Sequence, residues 1–310
     1  MRIAIVDLGT NTFNLLIVQT NGENHYQTLH NSKFAVKLGE GGIDLKSIAP
    51  EAWKRGLKAI EAHVLTIEAY SVDKVFAFAT SATRDADNGL AFVEEIYKKH
   101  NLKVEIIKGE KEARLIYQGV RQSMDLGDSI NLILDIGGGS NELILCNAKQ
   151  AFWMHSFNLG IQRLLHQFNP SDPIAPEEVT EIEHFLDNEL KLLFESAAKY
   201  TPVRLIGSSG SFDTFRSVLA STGAIPFTKT NFAEIPLIDY QKLHQALLKS
   251  TRDERLIMKG MEPIRVDFIV IGSIFTHYII NRLGITSIFQ SDFALKEGAL
   301  WEILRDVHSS

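Results

Sequence analysis

The sequence predicts an α/β protein of two related domains, residues 1–124 and 125–310, with a ligand site in the cleft between them. Three observations carry this expectation. The chain has 310 residues, enough for two domains. Apolar runs of strand length alternate with longer amphipathic stretches, giving strand–helix–strand units. The third is an internal echo. Ile5-Val6-Asp7-Leu8-Gly9-Thr10-Asn11-Thr12 and Leu134-Asp135-Ile136-Gly137-Gly138-Gly139-Ser140-Asn141 share one order of apolar strand, Asp, glycine turn and hydroxyl. Such repetition, about a domain's length apart, suggests two copies facing each other. Domain interfaces are common ligand sites.

Arg2–Asp7 is a short apolar run, Leu8–Thr12 a polar turn and Phe13–Gln19 apolar again, so the chain opens on two strands joined tightly. His25–Val36 reads as a third strand. Leu38–Ile43 is a glycine-rich loop, either a mobile lid or a plain connection into a helix, the plainer reading being preferred. Pro50 suits the first position of an amphipathic helix to about Tyr70, and Lys74–Ala79 is a strand. Thr80-Ser81-Ala82-Thr83-Arg84 then offers hydroxyls and a guanidinium to an oxyanion. Equally, it is a helix start with Arg84 paired to Asp85 or Asp87. A helix to about His100 and a strand Lys103–Ile107 complete the unit. Gly109–Tyr117 opens a helix directly afterwards. Glu110 and Glu112 in its first turn suit the helix dipole, but a carboxylate at a cleft edge could also take a proton from water. Asp125, Gly127 and Asp128 form the polar connection at which the domain boundary is drawn.

Asn131–Leu145 is the stretch around which the chain is organised. Its glycines allow close backbone approach to a ligand, because no Cβ intervenes, and successive N–H groups make a nest for phosphate oxygens. Asp135 and Glu142 flank that nest with hard oxygens suited to Mg²⁺ or Mn²⁺. A β-hairpin whose glycines merely make the turn is the alternative. Ala151–Phe157 is a further strand, Leu159–Leu164 starts a helix, Pro170–Pro173 is a turn, and Pro176–Tyr200 reads as one long amphipathic helix. Val203–Ile206 is a buried strand feeding Gly207-Ser208-Ser209-Gly210. That loop is either an anion site at a helix N-terminus or a tight β–α turn. From Leu237 the chain is mainly helical, with a strand at Ile285–Gln290 and a last helix after Ser291–Gly298.

The net charge of −6 and the lack of a basic block give no support to non-specific nucleic-acid or membrane-surface binding. Cys146 is the only cysteine, which excludes an intramolecular disulfide and fits a reducing compartment. It reads as a buried structural thiol. The apolar part of the N-terminus is too short for a signal peptide. Val266–Ile280 falls short of a membrane span. The expected location is cytoplasmic.

In their order these motifs resemble the exopolyphosphatase / guanosine pentaphosphate phosphohydrolase family of the actin–Hsp70–sugar kinase superfamily. The resemblance runs from Asp7 to Gly298 and is closest to the short, two-domain members. It implies two actin-like, ribonuclease H-like domains with mixed sheets flanked by helices and the active site between them. It makes Asp7–Thr12 a first phosphate loop, with Gly9, Thr10, Asn11 and Thr12, and Asp135–Glu142 a second, with Gly137, Gly138, Gly139 and Ser140. Gly207, Ser208, Ser209 and Gly210 would add phosphate contacts. Thr80–Arg84 is similar to the family's arginine loop, and Gly109–Ile116 to the helix start that carries the catalytic glutamate, here Glu112.

The implied activity is hydrolysis of a terminal phosphoanhydride of inorganic polyphosphate by water. Glu112 would be the general base and Arg84 would steady the terminal phosphoryl group. Asp7, Asp135 and Glu142 would hold Mg²⁺, with Mn²⁺ as the substitute. Guanosine pentaphosphate is the alternative substrate. A sugar or acetate kinase and a non-catalytic sensor of guanosine tetraphosphate or polyphosphate are the competing classes. The Glu112 motif argues against the first, and the joint presence of Asp7, Glu112, Asp135 and Glu142 against the second. The resemblance also implies a homodimer. The chain departs from the family pattern at Lys111, Asn141, Ser208, Ser211, Phe293 and Lys296. At Lys296, replacing arginine keeps the charge but loses the bidentate fork.

Overall fold

The computed structural model describes residues 1–21 and 25–308. The first half supplies β1 (Arg2–Leu8), β2 (Thr12–Thr20), β3 (Tyr26–Ala35), α1 (Pro50–Ala69), β4 (Lys74–Ala79), α2 (Ser81–Arg84), α3 (Gly89–His100), β5 (Val104–Ile106) and α4 (Gly109–Ser123). The second supplies β6 (Asn131–Ile136), β7 (Asn141–Cys146), β8 (Ala151–Phe157), α5 (Ile161–Phe168), α6 (Pro176–Glu189), α7 (Lys191–Tyr200), β9 (Arg204–Ser208) and α8 (Ser209–Ser221). It continues with β10 (Phe232–Ile235), α9 (Leu237–Lys249), α10 (Arg252–Ile257), α11 (Ile269–Leu283), β11 (Ser287–Ser291) and α12 (Leu295–His308).

The echo in sequence is an echo in topology. The first sheet runs β3-β2-β1-β4-β5 and the second β10-β11-β9-β6-β7-β8. In each, two antiparallel hairpins join the first three strands of the half, and the first of those strands pairs in parallel with a strand that follows a helical crossover. Both sheets are therefore mixed and flanked by helices, as an α/β chain of two related halves requires.

Strand alternation decides which way the acidic residues point. On β1, Ala4, Val6 and Leu8 join the core beneath α1 and α3, while Ile3 and Ile5 join a second core built around α4 and α12. On β6, Leu132, Leu134 and Ile136 face the large helical core of the second half, and Ile133 faces α4 and α12. With a period of two, Asp7 and Asp135 fall on the faces that look towards each other across the α4–α12 layer. Those two helices cross so closely that a Cβ on Gly119 would collide with the Ala294 carbonyl, and one on Gly298 with the Leu115 carbonyl. Although α12 ends the chain, it packs against β1 and α4.

Two elements differ from the sequence expectation. Pro176–Tyr200 is not one helix: it breaks at the buried Leu190, whose ψ of 16° leaves the helical range. No glycine or proline marks the break. Just before it, the Asn188 amide donates to the His184 carbonyl, a local competitor for the backbone. The short edge strand β10 was not expected, because its pairing with β11 is made entirely by tertiary contact.

Candidate active site

The two hairpin tips are built alike. In the first, Gly9 N–H donates to Thr12 O at 3.0 Å. In the second, Gly137 N–H donates to Ser140 O at 3.1 Å. The carbonyls at each tip are taken from outside the cleft. Those of Gly137, Gly138 and Gly139 accept from Ile161, Gln162 and Gly160 at the N-terminus of α5. The Asn11 carbonyl accepts from Val36 and Lys37, and that of Thr10 from Gly39. The tip amides of Thr10, Asn11, Gly138, Gly139 and Ser140 have no acceptor among the described residues, and these residues line the cleft. Free N–H groups with their carbonyls turned away form an anion nest.

The tips also approach each other. A Cβ on Gly138 would lie 2.7 Å from Asn11 Nδ2, and one on Gly139 would lie 2.5 Å from Ser81 Oγ and 2.8 Å from Thr10 Oγ1. A larger residue at either position would have to displace those side chains. The Asn11 side chain is buried, and neither its oxygen nor its nitrogen has a partner. A buried amide without partners is costly, and a bound oxyanion supplies the acceptor that its N–H groups lack.

Seven carboxylates line the same space, and four of them are the ones the sequence singled out: Asp7, Glu112, Asp135 and Glu142. Asp7 accepts from Asn14 Nδ2 at 2.9 Å, Asp135 from Ser208 and Ser209 at 2.7 Å, and Glu142 from Ser156 Oγ at 2.6 Å. Glu112, 7% exposed, is brought between the two sheets by the first turn of α4. Its carboxylate is held by Arg84 Nη1 at 2.7 Å. Burial raises the proton affinity of all four. It carries Glu112 to about 7 against the pull of Arg84, and Asp7 to about 6 against Asn14 and Lys296. Asp135 is raised by burial although two serines oppose it. Glu142 is raised by burial and by the neighbouring Glu112 and Asp135. Such displaced affinities gather at functional sites.

These carboxylates fit a divalent cation in donor chemistry. They are hard oxygen donors, and the hydrogen bonds leave lone pairs on each. Among the described residues no three His, Cys, Asp or Glu side chains converge closely enough to hold an ion alone.

A profile of the Ppx/GppA phosphatase family matches residues 17–307. The chain belongs to that family.

Exopolyphosphatase 1 of Mycobacterium bovis is 26% identical over 97% of this chain and 87% of its own length. A bifunctional 3-dehydroquinate synthase/phosphatase of Fusobacterium nucleatum is 29% identical, and the chain spans 46% of that longer protein. The crystal structure of an exopolyphosphatase from Cytophaga hutchinsonii superposes with a TM-score of 0.96 at 35% identity, covering 99% of this chain and 98% of that one. The Aquifex aeolicus family member shares the fold, with a TM-score of 0.81 at 24% identity over 99% and 98% of the two chains. The architecture is thus the actin-like one of Ppx/GppA structures.

Within this family frame, the cleft gathers most of the expected residues. Asp7, Gly9, Thr10, Asn11, Thr12, Glu112, Asp135, Gly137–Gly139, Ser140, Glu142, Ser209 and Gly210 line it. Three do not. Arg84 lies behind Glu112, which it holds, and it also donates to the Ile107 carbonyl and pairs with Asp85. Gly207 is a packing glycine, where a Cβ would collide with the Phe212 ring. Ser208 is fully buried and serves Asp135. Of the departures from the family pattern, Lys111 turns away to Glu105 and the Phe78 face, and Asn141 donates to the Leu159 carbonyl. Lys296 reaches the cleft wall.

Sequence reasoning missed Asn14, Lys33, Asp213 and Arg265. Asn14 was within reach, since it echoes Glu142 at the same spacing. Arg265 is buried against Gly210, where a Cβ would meet its guanidinium, and its Nε has no partner. It opposes the burial that raises Asp213 to about 6.

Proposed function

We propose that the protein releases orthophosphate from the end of inorganic polyphosphate by attack of water on the terminal phosphorus. The observation that carries this is the pair of opposed hairpin tips, amides free, beside a buried glutamate whose proton affinity lies near neutrality. Phosphoryl transfer asks chiefly for positioning and charge neutralisation. The tip amides, Asn11, Thr10 and Ser140 hold phosphate oxygens. Glu112 takes the proton from the attacking water as the bond from phosphorus to the bridging oxygen breaks, and the shortened chain leaves. Arg84 orients the Glu112 carboxylate and favours its ionised form. Asp7, Asp135 and Glu142 would hold Mg²⁺, which would offset charge on the phosphate oxygens.

A second substrate is favoured by one observation. A chamber of about 900 Å³ opens from the cleft, and Tyr26, Trp301, Asn31, Gln122 and Asn231 are among its lining residues. Aromatic rings beside side-chain amides suit a nucleoside, as in guanosine pentaphosphate. Phosphate release from long polyphosphate, short polyphosphate and guanosine pentaphosphate, each with and without Mg²⁺, separates the two. Release from none of the three overturns the hydrolase reading.

A further inference from the structure

Lys33 stands in a row that crosses the first sheet. Asp7 on β1 pairs with Asn14 on β2, and Asn14 pairs with Lys33 on β3. Directly opposed residues share a face, so the row runs outward from the carboxylates along the cleft. Lys33 and Lys296 line both the cleft and the chamber beyond it, and so flank the passage from one to the other. Lys296 is the more enclosed, 3.7 Å from Glu297 and 3.4 Å from Asn31 Oδ1. Lys33 instead reaches across to the second half of the molecule. Its Nζ sits 2.6 and 2.7 Å from the two carboxylate oxygens of Glu262, in the connection between α10 and α11.

We propose that Lys33 binds a phosphate of the substrate chain behind the terminal one, and that Glu262 is a built-in competitor which this phosphate displaces. The inference rests on the cleft taking a phosphoanhydride chain, as argued above. Two carboxylate oxygens on one ammonium group make the same kind of contact as two phosphate oxygens would. The exchange is cheap, because the Lys33 and Glu262 side chains are 45% and 40% exposed. Exposed ion pairs hold weakly, and the released carboxylate returns to water. An anion reaching only the hairpin tips, such as orthophosphate, leaves the Lys33–Glu262 pair intact. A chain long enough to reach Lys33 gains the exchange. The pair thereby favours chains over single phosphates.

The opposing role is a structural clasp that holds the cleft closed, and it predicts an effect of the opposite sign. The test measures tripolyphosphate binding by calorimetry, together with KM for its hydrolysis, in E262Q, K33Q and the double variant. Glu262→Gln tightens binding and lowers KM by about two- to five-fold, the range expected for an exposed pair. Lys33→Gln weakens both, and adding Glu262→Gln to it changes nothing further. Weaker binding in Glu262→Gln, or an unaltered affinity, overturns the proposal. Binding without turnover in the wild type would sink the hydrolase reading and leave this exchange standing. No tripolyphosphate binding at all would sink both.

Discussion

Asn14 stands opposite Asp7 across β1 and β2 in the position that Glu142 holds opposite Asp135 across β6 and β7. The two hairpins share a backbone but not a charge: one jaw presents a carboxylate with an amide donor, the other a pair of carboxylates. The Asn14 amide steadies the Asp7 carboxylate, which burial otherwise drives towards its protonated form. Asn14→Leu is expected to lower stability by about 1.5–3 kcal/mol, the range for hydrogen bonds to charged groups. It should also raise the Mg²⁺ concentration needed for half-maximal rate. Chemical denaturation and a Mg²⁺ titration check both.

Gly9 and Gly137 are required by their own turns, where a Cβ would meet the Thr12 and Ser140 carbonyls, whereas Gly138 and Gly139 face side chains from the first half. Gly139→Ala places a methyl group against Ser81 and Thr10 and forces the hairpins apart. Since misplacement by about 1 Å can cost ~100-fold, kcat/KM should fall by about that factor while the fold survives. Circular dichroism and steady-state kinetics together show whether it does.

A base must be unprotonated to act, so kcat/KM should rise with pH, reach half its plateau near 7, where burial has placed Glu112, and level off above that. Arg84 is the main group opposing that rise. Arg84→Gln should move the ascending limb to higher pH as well as lower its plateau. A loss of rate with no movement of the limb would assign Arg84 to some other task.

Much of this site was legible in the sequence because it is made of local turns. Asp7, Gly9, Asp135 and the three glycines announce themselves by order alone, and strand alternation then turns both aspartates to the shared face. Arg265, Lys33 and α12 were not legible as parts of the site. Arg265 meets Gly210 from 55 residues away, Lys33 enters through strand register, and α12 crosses to β1 only in the folded molecule. The break at Leu190 has no glycine or proline to reveal it. Arg84 shows the other limit: its place beside Glu112 depends on where α2 and α4 end up, and the composition of neither helix records it.

The same carboxylate links pH to stability. The folded-state affinity of Glu112, about 7, exceeds its ordinary value of 4.5, so the folded protein binds this proton more tightly than the unfolded chain. Its contribution is fully present below about pH 4.5 and is lost as pH rises through 7. A displacement of this size corresponds to roughly 3 kcal/mol. Between pH 5.5 and 8 the melting temperature of wild type should therefore fall more than that of Glu112→Gln, as parallel thermal melts would show.

The most direct test of Glu112 as the base is phosphate release from polyphosphate by wild type and Glu112→Gln at pH 8 with saturating Mg²⁺. The substitution keeps the shape and removes the proton acceptor, so the rate should drop by about 10²–10⁴-fold with substrate still bound. A Glu112→Gln protein that releases phosphate at close to the wild-type rate would contradict that role.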